Sequence, residues 1–200
     1  MLKIEKLRDD QLDAAARLLA ATFVGDLGMI ALFPRHRADD LRNAMELWYV
    51  ETLRMWLKND QPVLCAIKSD ELIGILIVTD TSLQMGWLSQ IWWALKVTVK
   101  NGIAPVQRAM EHDSKREKQF ASMPSFIVEF VAVAQSARGQ GVGKALFEVL
   151  HTSYAEKAGW LETTKEENLS IFAKLGYEHV RTNVSHGVDH HQMKREKIET

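Results

Sequence analysis

The residues best placed for chemistry lie between Ser125 and Ala145. Arg138, Gly139, Gly141, Gly143 and Lys144 follow the apolar run Ser125 to Ala134 after Gln135-Ser136-Ala137. Glycines there let a backbone approach a phosphate closely. The free N–H groups of a following helical turn then point at the anion. Two better-known phosphate loops do not fit. G-x-G-x-x-G fails because Lys144 or Leu146 stands where the third glycine belongs. G-x-x-x-x-G-K-[ST] fails because Arg138 replaces the first glycine and Ala145 the hydroxyl residue. A glycine-rich turn without a ligand is the blander reading of the same residues.

Glu129 is the only charged residue from Ser125 to Ala134. A carboxylate in a buried strand must open onto a cleft, where it could take a proton, or pair with a Lys or Arg. Both readings stay open. By strand alternation Glu129 shares a face with Ile127 and Val131. His112 is a candidate proton relay, although it sits in the charge run Glu111 to Gln119, expected to be a solvated helix end or loop. His186, Asp189, His190 and His191 gather in the last segment. Adjacent His190 and His191 on a strand face opposite sides, so no metal site is expected. Cys65 falls within an apolar run and is expected to be an inert buried thiol.

The pattern Arg138-x-x-Gly141-x-Gly143 after Val131-Ala132-Val133 resembles the acyl-CoA pyrophosphate loop, R/Q-x-x-G-x-G/A, of the GCN5-related N-acetyltransferase (GNAT) superfamily. Asn168 followed by Lys174-Leu175-Gly176-Tyr177 is similar to the superfamily's closing motif. The two stretches together cover residues 125–180. The resemblance implies an α/β (α+β) fold: a mixed, mostly antiparallel sheet of about six or seven strands flanked by helices. It implies acetyl-CoA as co-substrate in a gap beside the central strand. The pantetheine arm would lie on Val131, Ala132 and Val133. The pyrophosphate would meet Arg138, Gly139, Gln140, Gly141, Val142, Gly143 and Lys144. Asn168 and Phe172 would border the same cofactor. Glu129 would serve as the base when a primary amine of a small molecule or peptide attacks the thioester. Phe172 departs from the pattern, because the family often has there a Tyr able to protonate the leaving thiolate. A non-catalytic acyl-CoA-binding module is therefore a second reading. A third is an interaction protein that uses a Trp-rich insert, for example to form a homodimer.

These residues need elements to hold them. Leu2 to Leu7 reads as a strand, residues 10–23 as a helix, and Val24 to Arg37 as a loop with a short helical turn. A helix follows to Lys58, with Leu41, Met45, Trp48, Thr52 and Met55 inward, then a hairpin over Pro62 to Asp80. Residues 82–120 form a helical insert, apolar on two faces through Trp87, Leu88, Ile91, Trp92 and Leu95. Val142, Leu146 and Val149 mark a helix running to about Ala158 and closed by Gly159. Trp160 to Thr163 reads as a strand. Thr164 and Glu167 have capping-box spacing before another helix. Two strands around Ser185-His186-Gly187 end the chain. The acceptor pocket should arise from residues 24–37, the insert and the last hairpin, with Trp87 and Trp92 in its wall.

Two hundred residues suit a single domain over 1–200. A net charge of −1 argues against nucleic acid as a partner. The longest apolar tract is interrupted by Ser89, Gln90 and Lys96, so no membrane span is expected. The expected location is the cytoplasm.

Overall fold

The computed structural model describes residues 1–120 and 125–197. In chain order it contains β1 (Lys3–Lys6), α1 (Leu12–Phe23), α2 (Leu27–Leu32), α3 (Ala38–Lys58), β2 (Val63–Lys68), β3 (Glu71–Asp80), α4 (Trp87–Asn101) and α5 (Ile103–Phe120). Then follow β4 (Ser125–Val133), α6 (Val142–Ser153), β5 (Ala158–Thr163), α7 (Glu167–Ala173), β6 (Glu178–Ser185) and β7 (Val188–Arg195). The strands form one seven-stranded sheet in the order β1-β2-β3-β4-β5-β7-β6. All neighbours are antiparallel except β4 and β5. This is the mixed, mostly antiparallel architecture expected from the sequence.

Helical periodicity explains the two layers that cover the sheet. Leu12, Ala15, Ala16 and Leu19 of α1 and Met45, Tyr49 and Leu53 of α3 pack on one face, against Cys65, Ile75 and Ile77. Val142, Leu146, Phe147 and Leu150 of α6 pack on the other, against Ala66, Leu76 and Val78. Each buried Val, Leu, Ile, Phe or Met side chain among them contributes roughly 1.5–3 kcal/mol relative to leaving it in water. β6 and β7 join through His186 (φ 50°) and Gly187 (φ 79°), the left-handed pair that a tight hairpin turn demands.

Four expectations need correction. Helix α6 stops at Ser153, and Gly159 lies inside β5 rather than at a helix end. A Cβ at Gly159 would stand 2.4 Å from the Phe126 ring, so this glycine serves strand packing against β4. Val149 is exposed, and Phe147 and Leu150 take the inward positions. Helix α7 begins at Glu167 without a Thr164 cap. Thr164 donates instead to Asp26 Oδ2 across the molecule, at 2.7 Å. The charge run belongs to α5, and His112 and Arg116 of it are half-buried against the sheet.

The insert is held by a few inward groups. Trp93 Nε1 donates to Thr52 Oγ1 (3.0 Å), and its ring meets Trp48 edge-on. Glu51, 4 % exposed, faces Lys96, Lys100 and Arg54. Burial works against its charge, but the lysines, Lys96 first, hold its carboxyl below the usual range. Trp87 and Trp92, expected in the wall of the acceptor pocket, are 67 % and 56 % exposed on α4.

Candidate active site

The site begins with an irregularity in β4. Ile77 pairs with Phe130 and Val78 with Val128, so Glu129 is an extra residue opposite β3, a β-bulge. The bulge breaks the simple alternation assumed from sequence. Phe126, Val128, Val131 and Val133 all join the α6 layer, while Phe130 and Ala132 join the α1–α3 layer. The parallel pairing of β4 with β5 runs from Ser125↔Ala158 to Val128↔Leu161 and ends there. Beyond it β5 continues on β7, pairing Glu162 with Gln192 and Thr163 with His191. β4 continues on β3 alone, pairing Val131, Ala132 and Val133 with Leu76, Ile75 and Gly74. The sheet thus opens into a split at Glu129, with one edge of Val131 to Val133 turned to the gap.

At one end of this edge lies the glycine loop. Gly139 (φ 75°) and Gly141 (φ 79°) are left-handed, a conformation that costs L-residues roughly 1–2 kcal/mol. Gly141 is the N-cap of α6 and has no side chain to occupy the first-turn amides. Those amides, of Val142, Gly143 and Lys144, supply the donors and the positive end of the helix dipole. A Cβ at Gly143 would lie 3.8 Å from Val133, so the loop sits directly on β4. Arg138 and Lys144 are exposed beside it, and Lys68 Nζ donates to Gln140 Oε1 (3.1 Å). Arg138 Nε reaches the Val133 carbonyl oxygen at 3.4 Å. Every residue expected in the pyrophosphate loop is therefore gathered at one end of the split.

Asn168 ties the start of α7 to β5 through Nδ2 to Thr163 Oγ1 (3.0 Å). Phe172 is 9 % exposed and packs with Phe147 and Tyr177, ring centroids 6.0 and 6.4 Å away. Tyr177 is buried in the same cluster, with its hydroxyl 3.2 Å from His151 Nε2. It is a core aromatic.

The other end of the split is polar and is built from side chains. Arg116 of α5 holds Glu129 with both terminal nitrogens: NH1 to Oε2 at 2.7 Å and NH2 to Oε1 at 3.2 Å. Thr79 Oγ1 also donates to Oε1 at 2.6 Å. Pairing with a basic residue, one of the two readings of Glu129, is thus what is seen. The partner comes from the insert and not from a neighbouring strand. Burial opposes the Arg116 charge, but Glu129 and Asp113 hold its pKa above the ordinary arginine value.

Beside this pair stands Glu162, the residue of β5 that follows the last β4 pairing. His112 Nε2 is 2.9 Å from Glu162 Oε2, and Gln192 Nε2 donates to Oε1. His190 Nδ1 is 3.8 Å from Oε2. Burial opposes the Glu162 charge, yet the His112 bond and the Arg116 charge bring its carboxyl down to about 2. Burial, then the neighbouring His112, pushes the His190 imidazole below its usual value. His191 faces the other way, with Nδ1 2.9 Å from Thr182 Oγ1, as alternation along a strand requires. Asp26 caps α2 by accepting from the Met29 amide (3.0 Å), and His186 meets the Arg108 carbonyl at 3.3 Å. Residues 24–37, the insert and the last hairpin therefore do converge here.

Sequence reasoning missed Arg116, Glu162 and the pairing of His112 with His190. Their one signal was polarity inside otherwise apolar or periodic segments. Glu162 is a carboxylate in a six-residue strand, and Arg116 and His112 lie four apart on one helix face.

With this geometry in view, known proteins offer a comparison. Residues 88–179 match the family model described as an acetyltransferase (GNAT) domain. Among solved structures, a histone acetyltransferase HPA2 and related acetyltransferase from Corynebacterium glutamicum aligns over 100 % of this chain and 98 % of its own, at TM-score 0.75 and 14 % identity. An N-acetyltransferase from Staphylococcus aureus aligns over 98 % of both chains at TM-score 0.59 and 11 % identity. Arylalkylamine N-acetyltransferase 2 from Aedes aegypti covers 97 % of this chain and 98 % of its own at TM-score 0.59 and 13 % identity. A search of curated protein sequences found no match. At these identities the structural likeness speaks for the fold, and the family model speaks for the loop and the motifs around it. Residues 88–179 thus match a GNAT acetyltransferase domain, and the chain as a whole shares the fold of solved acetyltransferases.

Proposed function

We propose that the protein transfers an acetyl group from acetyl-CoA to a primary amine of a small molecule or peptide. The observation that carries this reading is the join of two features. A backbone anion loop sits at one end of an unpaired β4 edge, and a polar side-chain cluster sits at the other. An acyl-CoA laid along Val131, Ala132 and Val133, with its pyrophosphate on Arg138 to Lys144, would deliver its thioester toward the Glu129 bulge. The amine nitrogen would attack the thioester carbonyl carbon, the C–S bond would break, and the thiolate would leave. Holding the two reactants in line can supply about 7–11 kcal/mol of the barrier.

Glu129 is the proposed acceptor of the amine proton. Arg116 and Thr79 fix its rotamer, and Oε2 accepts one bond, from Arg116, which leaves a lone pair for the ammonium. No tyrosine hydroxyl is needed to protonate the leaving group, because a thiolate leaves readily and water can protonate it. Phe172, buried and without a hydroxyl, is the observation that favours the second reading, a module that binds acyl-CoA without turnover. No described helix is long and apolar enough to cross a membrane. A cytoplasmic location is part of this proposal.

Melting temperature should be measured with acetyl-CoA, CoA, ATP and NAD in parallel. A ligand at 100 times its dissociation constant stabilises by ~2.7 kcal/mol. Stabilisation by acetyl-CoA and CoA alone, followed by thiol release with a panel of primary amines, is the expected result. If neither CoA species shifts the transition, the loop is only a turn and the proposal fails. If both shift it but no amine releases thiol, the non-catalytic reading takes its place.

A further inference from the structure

His112, Glu162 and His190 form a cluster that acetyl transfer does not require. They come from α5, β5 and β7, and one ligating atom from each lies within 4.8 Å of the others. Glu162 Oε2 is 2.9 Å from His112 Nε2 and 3.8 Å from His190 Nδ1, and the two imidazole centroids are 4.6 Å apart. A tetrahedral ion with bonds of ~2.0–2.1 Å holds its donors about 3.3 Å apart, so two of these separations already bracket the need. The third, between His112 and His190, is within 4.8 Å.

The carboxylate is preset for this use. Gln192, 1 % exposed, donates to Oε1, which leaves Oε2 turned toward both imidazoles. Such outer partners orient ligands in metal centres. The side chains are 22 % (His112), 10 % (Glu162) and 14 % (His190) exposed, sheltered but reachable from water. The nearby charges are of both signs. Arg116 and His112 act on Glu162 as positive groups, and Arg116 is itself bonded to Glu129 and Asp113. Asp26 acts on His190 from the α2 side, and Glu111 lies 3.9 Å from His186.

We propose that His112, Glu162 and His190 bind one divalent transition-metal ion of the zinc type, with a fourth position left to water or to an acceptor group. Two imidazole nitrogens, one carboxylate oxygen and an open position make up a donor set of the kind found in zinc sites that take a water or a substrate. The inference does not depend on acetyl transfer, and a metal-free protein could still bind CoA.

Full-length protein without a histidine tag, stripped with a chelator, should be titrated with Co²⁺ at pH 7.5 and read by visible absorption. Zn²⁺ should be titrated in competition with a chromophoric chelator. One Co²⁺ per chain with the intense bands of a tetrahedral ion, displaced by one Zn²⁺, is expected. His112→Ala and His190→Ala should abolish the bands, Glu162→Gln should do so with little change of shape, and Gln192→Ala should weaken binding by about 10–100-fold. His191→Ala, on the opposite strand face, should leave binding intact. Absence of tetrahedral bands in the wild-type protein overturns the inference whatever the variants do. So does binding that survives His112→Ala and His190→Ala.

Discussion

The two ends of the split are built in different materials. The loop end uses backbone: glycines at positive φ, first-turn amides and a helix dipole, with Arg138 and Lys144 exposed at its edge. The other end, the proposed acceptor end, uses side chains from α2, α5, β4, β5 and β7, locked in ion pairs and hydrogen bonds. A backbone site depends on local conformation, and one substitution can remove it without disturbing the core. A side-chain site depends on distant segments meeting, so breaking it also leaves charges buried and unpaired.

Substitutions can break that comparison, and the largest effect is expected at the acceptor end. Arg116→Ala leaves Glu129, with a side chain 9 % exposed, without its cation. Removing one partner of a buried pair costs about 3–5 kcal/mol, so chemical denaturation should show a loss of that order. Acetyl-CoA should still stabilise whatever protein remains folded. A loss under 1 kcal/mol would mean that water replaces Arg116 and that the two ends are less different than they look.

Next in size is Gly141→Trp at the loop end. Melting should fall only modestly, but the ~2.7 kcal/mol stabilisation expected at saturating acetyl-CoA should vanish. Retained stabilisation would detach the loop from CoA. Gly159→Ala comes third. The new Cβ would press on the Phe126 ring where β4 and β5 still pair, and overpacking of this kind costs typically about 1–3 kcal/mol. Unfolding in urea would read it.

A pH series sharpens the comparison further. Burial, then the charge of Arg195, pushes His151 on the loop-bearing helix α6 down to about 4. The unfolded imidazole titrates near ~6.5, so between these values the unfolded chain binds the extra proton. The stabilisation from His151 is therefore complete above that range and declines as pH falls through it toward 4. His151→Phe should flatten this acid limb in urea midpoints measured from pH 7 to pH 4. An unchanged limb would assign it to other groups. The smallest effect belongs to the insert. Trp87→Ala should change stability by no more than about 0.5 kcal/mol, because the ring packs outward, whereas Trp93→Phe should cost about 1 kcal/mol through the lost bond to Thr52.

The same contrast explains what could be read before any coordinates. The loop was legible because its chemistry is local: strand, glycines and helix follow one another within residues 125–153. The approximate strand count and the last hairpin followed from alternation, turn residues and resemblance. Arg116 was not legible, because a cation in a charge run looks solvated until another element covers it. Glu129 stood out as the one charge in an apolar run, but the bulge that sets it at the split could not be seen there. Gly159 looked like a helix end because the ring it must clear, Phe126, is far away in sequence. Trp87 and Trp93 share a helix and a residue type, and only packing against Thr52 and Trp48 separates their roles.

The position of β7 has a consequence for the growing chain. It lies between β5 and β6, although it is made after both. During synthesis β6 therefore emerges with no neighbour in the sheet, and β5 has one edge open, until Val188 to Arg195 has been released. The strand that completes the sheet also brings His190 and Gln192 to Glu162. A chain truncated before His190 would keep the anion loop and the residues of the Arg116–Glu129 pair but lose His190 and Gln192. A ribosome stalled there would hold a nearly finished protein with two exposed strand edges, a state prone to pairing with other chains.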